Sequence, residues 1–191
     1  MKKTYSQKIY LQYQGFLDTP FLWNTSFYGL QQIQLTTILS HIFEGELTKN
    51  TRLGKRVESF VSCYLQQFNN ITVLHENIQI QQNKITLGEL DCLLYKDEKL
   101  IHLEIIYKFY LYDETVGESE IEHFIGPNRK DSLLEKLTKL KEKQLPLLYS
   151  NQCKLYLESI DLDVSKIEQQ VYFKAQLFVP FSKRNVKLST L

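Results

Sequence analysis

Hydrophobic positions along the chain follow two periods, and these predict the order of elements. Leu53, Val57, Phe60, Val61, Tyr64 and Phe68 recur at about 100° per residue, which predicts a helix over 52–68 with one apolar face. Asn69-Asn70 ends it. Ile71–Ile80, Ile85–Tyr95 and Leu100–Leu111 have strand composition, with turns at Asn83-Lys84 and at Lys96–Lys99, the latter a hairpin. An acidic loop, Asp113–Glu122, leads to Gly126-Pro127-Asn128. Leu133, Leu137 and Leu140 then share a face of a second helix, roughly 130–145. Pro146 stops or bends it, because proline has no N–H to donate and crowds the preceding turn. Val171–Val179 predicts a last strand, and Leu155–Glu158 a further short element. Nearer the start, Leu35, Ile38, Leu39, Ile42 and Phe43 recur at helical spacing before a break at Gly45 and Thr48–Thr51. The order helix, three strands, helix, strand predicts an α/β domain over 51–191, with a central mixed β-sheet flanked by helices. Residues 1–50 are expected to form an N-terminal helical extension packed on it.

Composition narrows the class. The 191 residues can bury a real core, and 43% hydrophobic with 13% aromatic content fits a packed interior. Lys plus Arg number 23 against 22 Asp plus Glu, a net charge of +1, which excludes a strongly basic nucleic-acid coat but not a local patch. Cys63, Cys92 and Cys153 are odd in number and widely spaced, so a disulfide framework is not expected and a reducing compartment is. Met1-Lys2-Lys3 is not followed by the apolar core of a signal peptide. No run approaches the roughly 18 apolar residues of a spanning helix. A soluble, cytoplasmic protein with no membrane partner is therefore expected; oligomeric state leaves no signature.

The informative feature is charge inside elements patterned as core. Glu89 and Asp91 lie on one face of an otherwise apolar strand. In the next strand the odd positions from Ile101 to Leu111 are wholly apolar and read as the core side, whereas the even face carries His102, Glu104 and Lys108. Pairing these strands as a hairpin sets Asp91 beside Glu104. Two such carboxylates repel and resist ionisation, and a divalent cation between them reverses that cost. Glu58 lies at the margin of the first helix's apolar arc, and Gln144 continues the Leu133–Leu137–Leu140 stripe where an apolar residue is expected. Lys136, Lys139 and Lys143 fall on the flank or outer side of that helix.

Each residue also has a plain structural reading. Glu104 and Lys108 make a strand-face ion pair, Glu58 pairs with Lys55 or Arg52, Gln144 belongs to a frayed end, and the lysines are a solvated face. Taken together, the five polar positions favour a site. Sharper motifs fail: His102-Leu103-Glu104 matches the H-x-E of zinc deaminases, but no P-C-x-x-C follows. His41, His75, His102 and His123 form no zinc set, and no phosphate-binding glycine motif or GxSxG is present. Gly126-Pro127-Asn128 before a helix reads as a turn and cap.

The order Glu58 on a helix, Asp91 on a strand, Glu104 and Lys108 on the next, and Gln144 on a later helix resembles the PD-(D/E)XK nuclease superfamily. More closely, Leu53-Gly54-Lys55-Arg56-Val57-Glu58, Leu87-Gly88-Glu89-Leu90-Asp91, His102-Leu103-Glu104 through Lys108-Phe109-Tyr110-Leu111, and Gly126-Pro127-Asn128 with Asp131 are similar to domain-of-unknown-function family 1853, a bacterial family placed in that superfamily. The likeness covers roughly residues 50–180. It implies a restriction-endonuclease-like core and a metal-dependent nuclease using Mg2+ or Mn2+. Asp91 and Glu104 would hold the cation, with Glu58 helping directly or through a water. Lys108 would orient the nucleophilic water and Gln144 would position it, while Lys136, Lys139 and Lys143 would meet substrate.

One spacing departs from the superfamily. Acid and lysine are usually separated by one residue, whereas Lys108 lies four positions after Glu104. On a strand that is about 13 Å rather than about 7 Å, so a long stem or a bulge must bring the ammonium back. The alternative expectation is a catalytically silent module of the same fold, binding nucleic acid or another protein. Hydrolysis of a small phosphorylated molecule is a third.

Overall fold

The computed structural model describes residues 7–36, 42–45 and 52–183. It is a mixed α/β structure with a five-stranded central sheet flanked by helices. Helix α1 spans Gln7–Asp18, a small hairpin follows as β1 (Ser26–Phe27) and β2 (Leu30–Gln31), and α2 spans Leu53–Leu65. Strands β3 (Ile71–Gln82), β4 (Ile85–Lys96) and β5 (Lys99–Tyr112) form an antiparallel meander. Its turns, Asn83-Lys84 and Asp97-Glu98, have positive φ at both residues, the backbone twist that two-residue hairpins require. Short β6 is Phe124–Ile125, α3 is Leu133–Lys139, α4 is Asn151–Ser159 and β7 is Ile167–Phe178.

Strand β7 runs parallel to β5 along its whole length, from Leu100↔Ile167 to Leu111↔Phe178. On the other edge of β5 the partner changes. β4 pairs only from Lys96↔Lys99 to Cys92↔Leu103, and β6 takes over at Leu111 and Tyr112. Between these points β4 leaves β5, and the sheet opens into a fork. Gly88 lies on the departing arm of β4, where a Cβ would come within 2.6 Å of Leu147 Cδ2, so a larger residue would push the Leu147 side chain aside.

Both faces of β5 are packed, and the apolar odd face is not the core side alone. Ile101 and Leu103 join Tyr13, Phe16, Val57, Phe60 and Val61 beneath α1 and α2. Ile106 and Tyr110, on the even face, pack with Leu133, Leu137, Leu140 and Phe173, while Leu100 packs with Leu148, Cys153 and Leu157. Leu111, at the far end of the odd face, is exposed. The three cysteines are buried and free.

The opening residues differ from expectation. Leu35, Ile42 and Phe43 are not helical, and Ile38, Leu39 and the break at Thr48–Thr51 lie outside the described residues. The N-terminal helix is α1 instead. Segment 21–33 runs along the outer edge of β7, with Leu22 N–H donating to Phe173 O at 3.0 Å and Ile33 N–H to Val171 O at 2.9 Å. It thereby covers an edge that would otherwise be open to pairing. Lys174 of β7 is buried and donates to Phe16 O (2.9 Å) and Leu17 O (3.1 Å), capping the last turn of α1 with a cation that also lies over the Phe16 ring. Burial pulls its pKa down to about 8.

The second helix is also not continuous. α3 widens into a π-helix at Leu140–Gln144, where Leu145 N–H donates to Leu140 O, and then tightens into a 3₁₀ helix over Leu145–Tyr149. Pro146 lacks the donor that a regular turn needs at this point, so the helix changes pitch. Among the described residues no helix is long and apolar enough to cross a membrane.

If α1 belongs to the same core as the sheet, Phe16→Ala should remove about 3–5 kcal/mol from a single cooperative unfolding transition in urea. A loss below about 1 kcal/mol would show α1 to be an appendage.

Candidate functional site

The site is built at the fork. Where β4 departs, Ile105 N–H has no strand carbonyl on that side, and Asp91 Oδ2 accepts it at 2.8 Å. One register step beyond Cys92↔Leu103, Asp91 and Glu104 come opposite each other across the fork. Glu104 is completely buried. Its Oε1 lies 3.1 Å from His102 Nε2, and its Oε2 accepts from Gln144 Nε2 at 2.6 Å. Gln144 Oε1 in turn accepts from Lys136 Nζ at 2.7 Å. Behind His102, Gln169 Nε2 lies 3.1 Å from Nδ1 and donates to Leu145 O at 2.6 Å. A continuous chain of hydrogen bonds, fully buried at His102 and Glu104 and half-buried at its ends, therefore runs Leu145 O, Gln169, His102, Glu104, Gln144, Lys136.

Electrostatics follow from this crowding. Burial, reinforced by repulsion from Glu104, pushes the Asp91 carboxyl from its ordinary 3.8 up to about 7, against the bond from Ile105. Glu58 adds to the rise and Lys136 opposes it. Burial pulls Lys136 down to about 8, although Glu104 and Asp91 favour its charged form. Lys139 and Lys108 stand close enough to depress it further.

Most of the expected residues meet here, though not in the expected arrangement. Gln144 points inward, to Glu104 rather than to Asp91 or Lys108, because the π-helix carries it over the fork. Lys136, expected on the flank of its helix, is half-buried and is the lysine that joins the carboxylates. Lys108 does not reach back; it bonds Asp131 Oδ2 at 2.8 Å. The β5–β7 ladder from Leu100 to Leu111 has no register shift, so no bulge shortens the path. Glu58 stays on Lys55 at 2.9 Å, and the same ammonium holds Glu89 (2.9 Å) and Asn77 Oδ1 (2.6 Å). Its field reaches Asp91 even so. Lys139 and Lys143 are exposed.

Two participants escaped the sequence reading. His102 shares strand parity with Glu104, a spacing that signals their meeting, but the sequence assigns it no role at the site. Gln169 lies at the start of β7 and meets His102 only through parallel pairing, for which the sequence carries no local sign.

A hard divalent cation fits this donor set. Mg2+ needs only one or two carboxylates with waters. Asp91 spends Oδ2 on Ile105, and each Glu104 oxygen accepts one hydrogen bond and keeps a second lone pair. Among the described residues no group of three or more His, Cys, Asp or Glu side chains gathers as a metal site, so the fit is to the Asp91–Glu104 pair.

The two shifted groups predict opposite pH dependences. The folded state holds Asp91's proton more tightly than the unfolded chain, so this group's contribution to stability falls as pH rises from about 4 to about 7. Lys136 holds its proton less tightly when folded, so its contribution grows between about pH 8 and pH 10.5. In thermal melts the wild-type minus Asp91→Asn difference should decline across the first window, and the wild-type minus Lys136→Met difference should rise across the second. A pH-independent Asp91→Asn difference would place that carboxyl in its ordinary range.

Comparison with known proteins adds one finding. The family model of the domain of unknown function DUF1853 matches residues 30–190. No curated protein and no solved structure matches the chain. The matched stretch takes in both arms of the fork, Lys136, Gln144 and Gln169, and the chain belongs to the DUF1853 family.

Proposed function

We propose that the protein is a divalent-metal-dependent phosphodiesterase of the PD-(D/E)XK kind, with a restriction-endonuclease-like core, acting on nucleic acid with Mg2+ or Mn2+. The observation that carries this reading is the convergence of Asp91 and Glu104 at the fork with Lys136 joined to them through Gln144. Two buried carboxylates raise each other's cost of ionisation, and Asp91 near 7 shows that cost. A bound divalent cation would supply a water of lowered pKa and offset charge developing on the phosphate.

The chain's own residues divide the remaining work. Asp91 and Glu104 would hold the cation, and Glu58, whose charge reaches Asp91, would help through a water. Lys136, with its ammonium fixed on Gln144 Oε1 and its pKa near 8, holds or releases a proton at Nζ close to neutral pH and takes the role expected of Lys108. Lys108, Lys139 and Lys143 lie outside and meet flanking phosphates, contacts that position a backbone without reading its sequence. A silent binding module of the same fold draws on one observation, the pairing of Lys108 with Asp131.

The test combines binding with cleavage. Saturating Mn2+ should raise the melting temperature of wild type and not of Asp91→Ala, since a ligand that binds only the folded state stabilises it. Single- and double-stranded DNA and RNA, assayed with Mn2+, should include a cleaved substrate. Lys136→Met should then lower the rate about 100-fold or more, as loss of a preorganised electrostatic group does, with Lys108→Ala changing it little. Absence of both the Mn2+ shift and cleavage in wild type would leave the silent module.

A further inference from the structure

His102 is the most deeply buried titratable side chain beside Glu104, and the hydrogen bonds around it fix its protonation pattern without reference to any pKa. Gln169 is the key. Its amide nitrogen lies 2.6 Å from Leu145 O, a carbonyl that can only accept, so this end of the amide must be the NH2 group. The same nitrogen lies 3.1 Å from His102 Nδ1. An NH2 group donates and does not accept, so Nδ1 must offer a lone pair and carry no hydrogen. The proton of a neutral imidazole then sits on Nε2, which points at Glu104 Oε1 from 3.1 Å.

His102 therefore meets the Glu104 carboxyl through a hydrogen bond from Nε2. Gln144 does the same from the other side with its amide at 2.6 Å. Glu104 is thus held between two donors in a fully buried position, with Lys136 one bond further away. Held from both sides, the carboxyl has a fixed orientation.

We infer that His102 is a positioning residue: held by Gln169 so that Nε2–H faces Glu104, it orients Glu104 as a ligand for a divalent cation. The last clause rests on the phosphodiesterase reading; the tautomer and the orientation do not. Gln169 acts one step further back, and through its bond to Leu145 O it ties this arrangement to the 3₁₀ segment that follows Gln144. The two nitrogens that bracket Glu104, Gln144 Nε2 and His102 Nε2, are consequently held from adjoining residues, the first on Gln144 itself and the second from Leu145 O through Gln169.

Two measurements on the full chain test this, with Mn2+ as the probe. Nitrogen-15 NMR of histidine-labelled protein should show His102 with a protonated Nε2 and a bare Nδ1. Gln169→Leu should abolish that single-tautomer signature. In calorimetry, His102→Phe should weaken Mn2+ binding about 10- to 100-fold, the cost of removing a group that orients a ligand. His102→Gln can accept from Gln169 and donate to Glu104, and it should restore affinity to near wild type, which a purely space-filling role would not require. If His102→Phe fails to fold, Gln169→Leu replaces it with the same expected weakening. A protonated Nδ1 in wild type, or folded His102→Phe binding Mn2+ as wild type does, overturns the inference. Wild type that binds no Mn2+ overturns the phosphodiesterase reading and the ligand role with it, while the tautomer spectrum still decides whether His102 orients Glu104.

Discussion

A backbone N–H inside a protein has to find an acceptor, and where β4 leaves β5 that acceptor is the Asp91 carboxylate on Ile105. This bond holds the fork. With it, strand pairing can stop at Cys92↔Leu103 with the Ile105 donor satisfied, and the edge of β5 beyond Glu104 stays open until β6 takes it up at Leu111. The carboxylate that closes the crotch is thereby committed to a position opposite Glu104. Structure and candidate chemistry draw on the same side chain.

The charge that results is managed from a helix of mixed pitch. A regular α-helix from Leu133 onward would carry its residues past the fork at a constant 100° per residue. The π segment Leu140–Gln144 alters that rotation, and Gln144 spans from Lys136 to Glu104. An amide suits this place because it donates to the acid and accepts from the base at once. Lys136 is the compensating cation, close enough to both carboxylates to be favoured by them and buried enough to be held near 8. Lys108, further along β5 and half-buried, is held by Asp131 and does not bond to either carboxylate of the fork.

Support for the site comes from distant parts of the chain. The β7 strand supplies Gln169 on one face and Lys174 on the other, so it holds both the His102 chain and the end of α1. Segment 21–33 lies along its outer edge, which keeps β7 from being an open strand. The first fifty residues thus contribute aromatic core through Tyr13 and Phe16 and also fix the strand that backs the site.

The sequence by itself determined the elements whose apolar positions keep a strict period: α2, the β3–β5 meander with its two-residue turns, and β7. Period and turn chemistry are local, and so is the parity that put Asp91, Glu104 and His102 on related faces. It also marked Gln144, since an amide within an apolar stripe is a local anomaly. Tertiary structure alone decided which lysine serves the carboxylates. Lys108 and Lys136 are chemically equal, and the choice depends on an unbulged ladder that keeps one away and a burial that draws the other in. It also decided what backs His102, because Gln169 comes from β7 through parallel pairing, across a separation of 67 residues that no local pattern encodes.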